Sequence, residues 1–247
     1  MKLTVLGYLG GYPTRDTGTS AYLLEADGFH LLLDAGSAAL LALEKHVDPL
    51  ELDAVLLSHY HHDHIADLGV LQFTRQLKRR PDGSRTSLLP IYGHSEDQDM
   101  FKRLTMDLVS EGIAYDEHDR ISIGPFDVTH MKTLHPVPCF AFRIEDRTTG
   151  KVLVFTADSG FKPELVEFSK EADLLMADTN FFEGMENHRV HMTSTEVGRI
   201  AHEANVSTLL LTHLPQEGNL DLLRKQAADK APGVEVVLAQ KHLQIEI

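Results

Sequence analysis

The apolar run Ala54-Val55-Leu56-Leu57 passes without a break into Ser58-His59-Tyr60-His61-His62-Asp63-His64, and this junction constrains the chain more than any other stretch. Four apolar side chains in a row read as a buried strand, so the histidines and the carboxylate stand where that strand leaves its sheet. Neutral imidazole and carboxylate are the groups that a borderline metal such as zinc prefers. Alternate positions of an extended segment project to opposite sides. His59 and His61 can therefore serve one ion, while Asp63 and His64, at the turn into the next helix, serve a second. A solvated loop that happens to be rich in histidine is the competing reading, and it does not explain so selective a cluster at a buried strand end. His62 fills an intervening position and is expected to face solvent or a neighbouring strand.

The rest of the chain supplies the scaffold. With 247 residues and 43% apolar composition it can bury an ordinary core. Strands are expected at Leu3 to Leu6, Ala21 to Glu25 and Phe29 to Leu33, the last two joined by the hairpin signal Asp27-Gly28. Helices are expected from Ser37 to His46, Ala66 to Lys78 and Glu96 to Glu111, with a strand near Leu88 to Tyr92. A second run of similar character starts near Ile121. Strands read at Phe126 to Met131, Phe140 to Glu145, Val152 to Thr156, Leu174 to Ala177 and Leu209 to Thr212, with helices at Thr193 to Ala204 and Leu220 to Lys230. No linker divides the halves, so residues 1–247 are expected to form one α/β domain, two sheets face to face with helices outside.

Charge narrows the function. The chain carries 23 Lys and Arg against 37 Asp and Glu, a formal charge of −14, which repels polyanions and disfavours long RNA or DNA as substrate. The basic cluster Arg75, Lys78, Arg79, Arg80 and Arg85 is expected to be a solvated helix C-terminus before Pro81-Asp82-Gly83. The one cysteine, Cys139, excludes an internal disulfide framework and reads as a small buried hydrophobe. No apolar run is long enough for a membrane span, Met1 to Leu6 reads as a strand, and a cytoplasmic location is expected.

Three further residues stand where strands end: His135 before Pro136, Asp158 after the run Val152 to Phe155, and His213 before Leu214-Pro215. A single histidine at a strand end is commonly structural, but beside the loop His59 to His64 all three become candidate ligands. In this order, with Asp34 in Leu33-Asp34-Ala35-Gly36-Ser37, the motifs resemble those of metallo-β-lactamase-fold hydrolases over essentially the whole chain. The resemblance implies a four-layer αββα sandwich. It also implies that His59, His61 and His135 hold one metal, that Asp63, His64 and His213 hold another, that Asp158 bridges them, and that Asp34 orients a ligand.

Within that superfamily the chain is most similar to the ribonuclease Z group of phosphodiesterases. The likeness rests on Gly7 to Thr14, Gly18 to Leu24, His135-Pro136-Val137-Pro138, and Leu174 to Phe181 followed by His191-Met192-Thr193. Ala177, Asp178 and Met192 stand where the group has His, Glu and Ser, so the acid and histidine pair is kept while tRNA specificity is put in doubt. Members that process tRNA carry a long arm between the third histidine and the bridging aspartate. Here the 22 residues between His135 and Asp158 suffice for two strands and a turn.

These features lead to a metal-dependent hydrolase with two zinc ions, or manganese, whose shared hydroxide attacks a small phosphodiester, cyclic nucleotides among the candidates. Asp63, His191 and Asp178 are the candidate catalytic residues, with Asp178 setting the tautomer of His191. The alternative is a lactonase, thioesterase or other acyl hydrolase on the same site. A non-catalytic protein with a structural metal is disfavoured, because such sites are closed four-ligand cages. By analogy with the group a homodimer is expected. His30, His46, His94, His118, His130, His188, His202 and His242 are read as structural or surface residues.

Overall fold

The computed structural model describes residues 1–84, 86–117 and 120–247. Arg85 and His118, both singled out in the sequence, lie outside them. In chain order the first half contains β1 (Lys2–Gly7), β2 (Ala21–Ala26), β3 (Phe29–Ala35), α1 (Ala39–Leu43), β4 (Ala54–Leu56), α2 (His62–Ile65), α3 (Leu68–Leu77), β5 (Leu89–His94), α4 (Gln98–Lys102) and β6 (Ser110–Tyr115). The second contains β7 (Arg120–Ile123), β8 (Phe126–Lys132), β9 (Phe140–Asp146), β10 (Val152–Phe155), α5 (Glu164–Phe168), β11 (Leu174–Asp178), α6 (Ser194–Glu203), β12 (Thr208–Thr212), α7 (Leu220–Lys230), β13 (Glu235–Leu238) and β14 (Gln244–Glu246).

These strands form two seven-stranded mixed sheets, ordered β14-β1-β2-β3-β4-β5-β6 and β13-β12-β11-β10-β9-β8-β7. One apolar cluster joins them face to face: Leu3, Tyr22, Leu31 and Leu56 from the first sheet meet Phe126, Phe142, Leu153 and Met176 from the second. The outer faces are covered separately. Leu40 and Leu43 of α1 and Leu71 of α3 pack on the first sheet, and Leu165, Val197, Ile200 and Leu223 of α5, α6 and α7 pack on the second. The result is the αββα sandwich. It satisfies strands that are apolar on both faces, because each sheet has a second sheet on one side and helices on the other.

Local chemistry explains the element ends. Asp27 and Gly28 both have positive φ, 50° and 78°, the requirement of a type I′ turn, and they close the β2–β3 hairpin in register Ala26↔Phe29. Thr193 and Glu196 form a reciprocal capping box at the start of α6.

Three expectations are corrected. The helix read over Glu96 to Glu111 is only the five residues of α4, and Ser110 to Tyr115 instead pairs in parallel with β5 as an edge strand. A Cβ on Gly112 would come within 3.0 Å of Leu104 Cβ, so the absent side chain at this position suits close packing of the α4 exit against the strand. The helix read over Ser37 to His46 is likewise shortened to α1, since Ala38 adopts a left-handed φ of 62° at its entry. Finally, Arg75 is not part of a solvated end. It is buried, and its guanidinium donates to the carbonyls of Pro49 (2.8 Å), Leu52 (3.3 Å) and Ser87 (3.1 Å), tying α3 to the segments that flank β4 and β5.

Candidate metal centre

The second sheet and the β4 exit bring all seven predicted ligand residues to one edge of the sandwich. His59 and His61 leave β4, and Asp63 and His64 lie in α2. His135 follows β8, Asp158 follows β10 and His213 follows β12. Sharp turns at the strand ends deliver them. Ala157, next to Asp158, and His213 have left-handed φ values, 50° and 52°, which such residues adopt only when surrounding structure imposes it; Asp34, near the end of β3, has φ 55°.

Two donor sets result. His59 Nε2 and His135 Nε2 each lie 3.1 Å from His61 Nδ1, and Asp158 Oδ2 is 3.7 Å from His59 Nε2 and 3.9 Å from His135 Nε2. Nitrogens about 2.0–2.1 Å from one tetrahedral zinc would stand roughly 3.3 Å apart, close to this spacing. On the other side, His64 Nε2 lies 3.5 Å from Asp63 Oδ2 and 3.1 Å from Asp158 Oδ1, while His213 Nε2 lies 3.2 Å and 3.4 Å from the same two oxygens. Asp158 thus turns one oxygen to each set.

The residues fit a cation at both positions. His64 Nε2 and Asp158 Oδ1 are sealed from solvent and among the described residues make no hydrogen bond of proper geometry although they are 3.1 Å apart, which is costly unless a cation lies between them. Electrostatics point the same way. Burial works to raise the Asp158 carboxyl, yet the facing charges of His213 and His64 outweigh it and hold the group well below the usual range. Burial likewise works against the charged form of His213, and the charges of Asp158 and Asp178 overcome it, raising the imidazole to about 10. The carboxylates demand positive charge here, whether from protons or from metal. His59 is the reverse case, kept neutral first by burial and then by the charge of His64.

A supporting layer of contacts aims these groups. Asp34 Oδ2 is 2.7 Å from His64 Nδ1, and the same carboxylate accepts from Ser58 N and Ser58 Oγ, both at 2.8 Å. Ser58 Oγ lies 3.0 Å from His59 Nδ1, and the Val190 carbonyl lies 3.2 Å from His135 Nδ1. Gly11 N donates to Asp63 Oδ2 at 2.8 Å. Such contacts choose the tautomer and hold the ring plane of a ligand. Sequence reasoning found Asp34 but not Ser58, Gly11 or Val190. Ser58 could have been suspected from its place next to His59, whereas a backbone amide and a carbonyl leave no signal in a sequence.

His191 sits beside both sets, its ring 5.8 Å from that of His135 and 4.9 Å from that of His213. Asp178 Oδ2 lies 2.8 Å from His191 Nδ1, while Asp178 Oδ1 lies 3.3 Å from His213 Nδ1. Burial depresses the His191 imidazole, but the charge of Asp178 and its hydrogen bond outweigh burial and raise it. The loop carrying His191 is pinned by the α6 cap, since Glu196 accepts from Thr193 N at 2.8 Å and from Asn187 N at 2.7 Å. His62 is exposed, and Cys139 is buried with its thiol directed to the Asp158 carbonyl. Of the other histidines, His46 and His242 pair across 2.9 Å and His94 and His130 are buried.

Comparison with known proteins agrees with the fold. A family model described as "Beta-lactamase superfamily domain" matches residues 30–214. The chain is 47% identical over 228 residues to "Probable metallo-hydrolase YhfI" of Bacillus subtilis, covering 92% of each chain. It superposes on the crystal structure of the metallo-beta-lactamase fold protein YhfI from Bacillus subtilis with a TM-score of 0.93 at 44% identity, over 99% of both. It is 27% identical to the ribonuclease Z of Methanopyrus kandleri over 100% of this chain and 98% of that one. A diphosphatase from the PhnP family has the same fold, with a TM-score of 0.75 at 20% identity over 100% of this chain and 97% of that one.

Proposed function

Because this chain belongs to the beta-lactamase superfamily and is a metallo-hydrolase, we propose that it is a phosphodiesterase using two zinc ions, with small phosphodiesters, cyclic nucleotides among them, as its substrates. The observation that carries this reading is the pairing of His191 with Asp178 at 2.8 Å beside both donor sets. A phosphoryl transfer needs a donor aimed at the phosphate or at the departing oxygen, and this is the position that such a donor would take.

In this reading His59, His61 and His135 hold one ion, Asp63, His64 and His213 hold the other, and Asp158 is shared. Two such ions, when bound, lower the pKa of water and neutralise charge on phosphoryl oxygens. Asp34 keeps the proton of His64 on Nδ1, leaving Nε2 as the donor atom. Asp63 accepts from Gly11 N with the oxygen that also faces His213, which fixes the carboxylate at the second position. His191 keeps its Nδ1 proton on Asp178, so that in its charged form Nε2 donates to the phosphate or the leaving oxygen.

Substrate size follows from charge and from the segment between His135 and Asp158. That segment is consumed by β9, a turn and β10, which supports a substrate without a tRNA-like body. The name of one relative, a ribonuclease Z, supports phosphodiester chemistry. We also propose a homodimer: Val70, Phe73 and Leu77 of α3 form an exposed apolar row next to exposed Leu41. No helix among the described residues is long and apolar enough to cross a membrane, and a cytoplasmic location is part of this proposal.

The test is hydrolysis by zinc-loaded protein of bis(p-nitrophenyl) phosphate, cyclic nucleotides, a lactone and a thioester in parallel. Preference for diesters is the expected result. Faster turnover of the lactone or thioester would replace this reading with an acyl hydrolase.

A further inference from the structure

A cavity of about 230 Å³ opens beside the metal centre on the side of His61. His61 lines it with the same ring whose Nδ1 faces His59 and His135, whereas His191 and His213 take no part in its wall. Its floor is His94, 1% exposed, with ring centroids 4.3 Å from Tyr60 and 5.6 Å from Phe140. Neither ring nitrogen of His94 makes a hydrogen bond of proper geometry among the described residues, although the Pro138 carbonyl stands near. Burial lowers its imidazole to about 4, so near neutrality the ring is uncharged and serves as an aromatic surface. Met100, Val137 and Pro138 supply apolar wall, and the exposed Asp97 supplies a carboxylate. Oδ1 of Asp97 caps α4, accepting from Asp99 N and Met100 N, and among the described residues Oδ2 takes no hydrogen bond.

We propose that this cavity is a specificity subsite for a planar heteroaromatic ring bearing N–H donors, carried on the ester arm that stays with the phosphate. The volume is below the roughly 300 Å³ at which drug-sized sites begin, so it suits one ring system. Apolar and aromatic walls with an exposed carboxylate acceptor, Asp97, match the faces and donor edge of such a ring. The placement also separates the two ester arms, since the leaving oxygen belongs beside His191 and the retained arm then lies toward His61. This inference rests on the phosphodiesterase reading.

Two substrates with one leaving group test it: thymidine 5′-p-nitrophenyl phosphate, whose retained arm carries a ring with an N–H, and methyl p-nitrophenyl phosphate, whose retained arm does not. Asp97→Asn, which keeps an amide able to cap α4, and Met100→Trp, which fills the cavity, should each lower the preference for the thymidine ester about tenfold in kcat/KM. In parallel, the Met100 methyl resonance of wild-type zinc-loaded protein, assigned with Met100→Leu, should shift on titration with thymidine and stay in place with methyl phosphate. Unchanged preference in both variants, or a Met100 methyl that ignores thymidine, overturns the subsite. If no diester is cleaved while thymidine still moves that methyl, the cavity stands as a ring-binding site and the phosphodiesterase reading falls.

Discussion

Asp34 Oδ2 lies 2.7 Å from Nδ1 of His64, with both side chains fully buried. A buried carboxylate against the outer nitrogen of a ligand ring fixes the tautomer and raises the basicity of the inner nitrogen. Asp34→Asn retains a residue that tolerates the left-handed backbone at this position but cannot accept in the same way. It should weaken zinc affinity by about 10–100-fold at the second position, read by chelator competition. Wild-type protein should carry two zinc ions per chain by elemental analysis. A single ion would refute the dinuclear assignment, and undiminished affinity in the variant would refute the orienting role of Asp34.

Removing His191 should separate chemistry from metal binding. His191→Ala is expected to keep both ions and lower kcat for a diester by roughly 10²–10⁴, the range for a positioned acid or hydrogen-bond donor. Asp178→Asn should lower kcat less, but it should also loosen metal, because Asp178 faces His213 as well as His191. Full diester turnover by His191→Ala would remove the residue from the mechanism.

Precursor tRNA provides a contrasting substrate. With a formal charge of −14 and no room for an arm between His135 and Asp158, the protein should cleave it far more slowly than a small diester at equal enzyme concentration. Efficient site-specific 3′ cleavage would show that another surface binds the RNA.

Association should depend on the exposed row on α3. A charge placed among packed apolar side chains is costly to bury, so Phe73→Glu should convert a dimer to a monomer in sedimentation equilibrium, leaving the fold intact by circular dichroism. A wild-type monomer, or a variant that remains dimeric, would exclude this face.

His94 should make folding stability depend on pH. Its pKa falls from 6.5 to about 4 on burial, so between those values the unfolded chain binds the extra proton. Stability from this group is therefore complete above pH 6.5 and is lost as the pH falls toward 4. At pH 5 the loss is about 2 kcal/mol by linkage. His94→Phe removes the titration, and the stability gap between variant and wild type, measured by urea unfolding, should move in favour of the variant by that amount between pH 7.5 and pH 5. A gap independent of pH would mean that the imidazole is not buried as described.

Much of the architecture was legible because local rules decide it. Asp27-Gly28 can close only a tight hairpin, α7 begins and ends where its periodicity predicts, and doubly apolar strands such as Leu174 to Ala177 demand cover on both faces. The separation of His59 and His61 from Asp63 and His64 was expected from alternation along the extended segment followed by the turn into a helix, and the grouping of the ligands with His135, Asp158 and His213 came through resemblance. Tertiary structure decided the rest. Ser110 to Tyr115 is a strand because β5 offers it an open edge, and Arg75 is buried because three carbonyls from distant segments converge on its guanidinium. The roles of Ser58, Gly11 and Val190 are set by positions in space that no spacing along the chain encodes. Likewise His94, one histidine among fifteen, differs from its solvent-facing neighbours only because Tyr60 and Phe140 enclose it beside the metal centre. Residue type determines what chemistry a side chain can do, while burial and neighbours brought from elsewhere in the chain determine whether it does it.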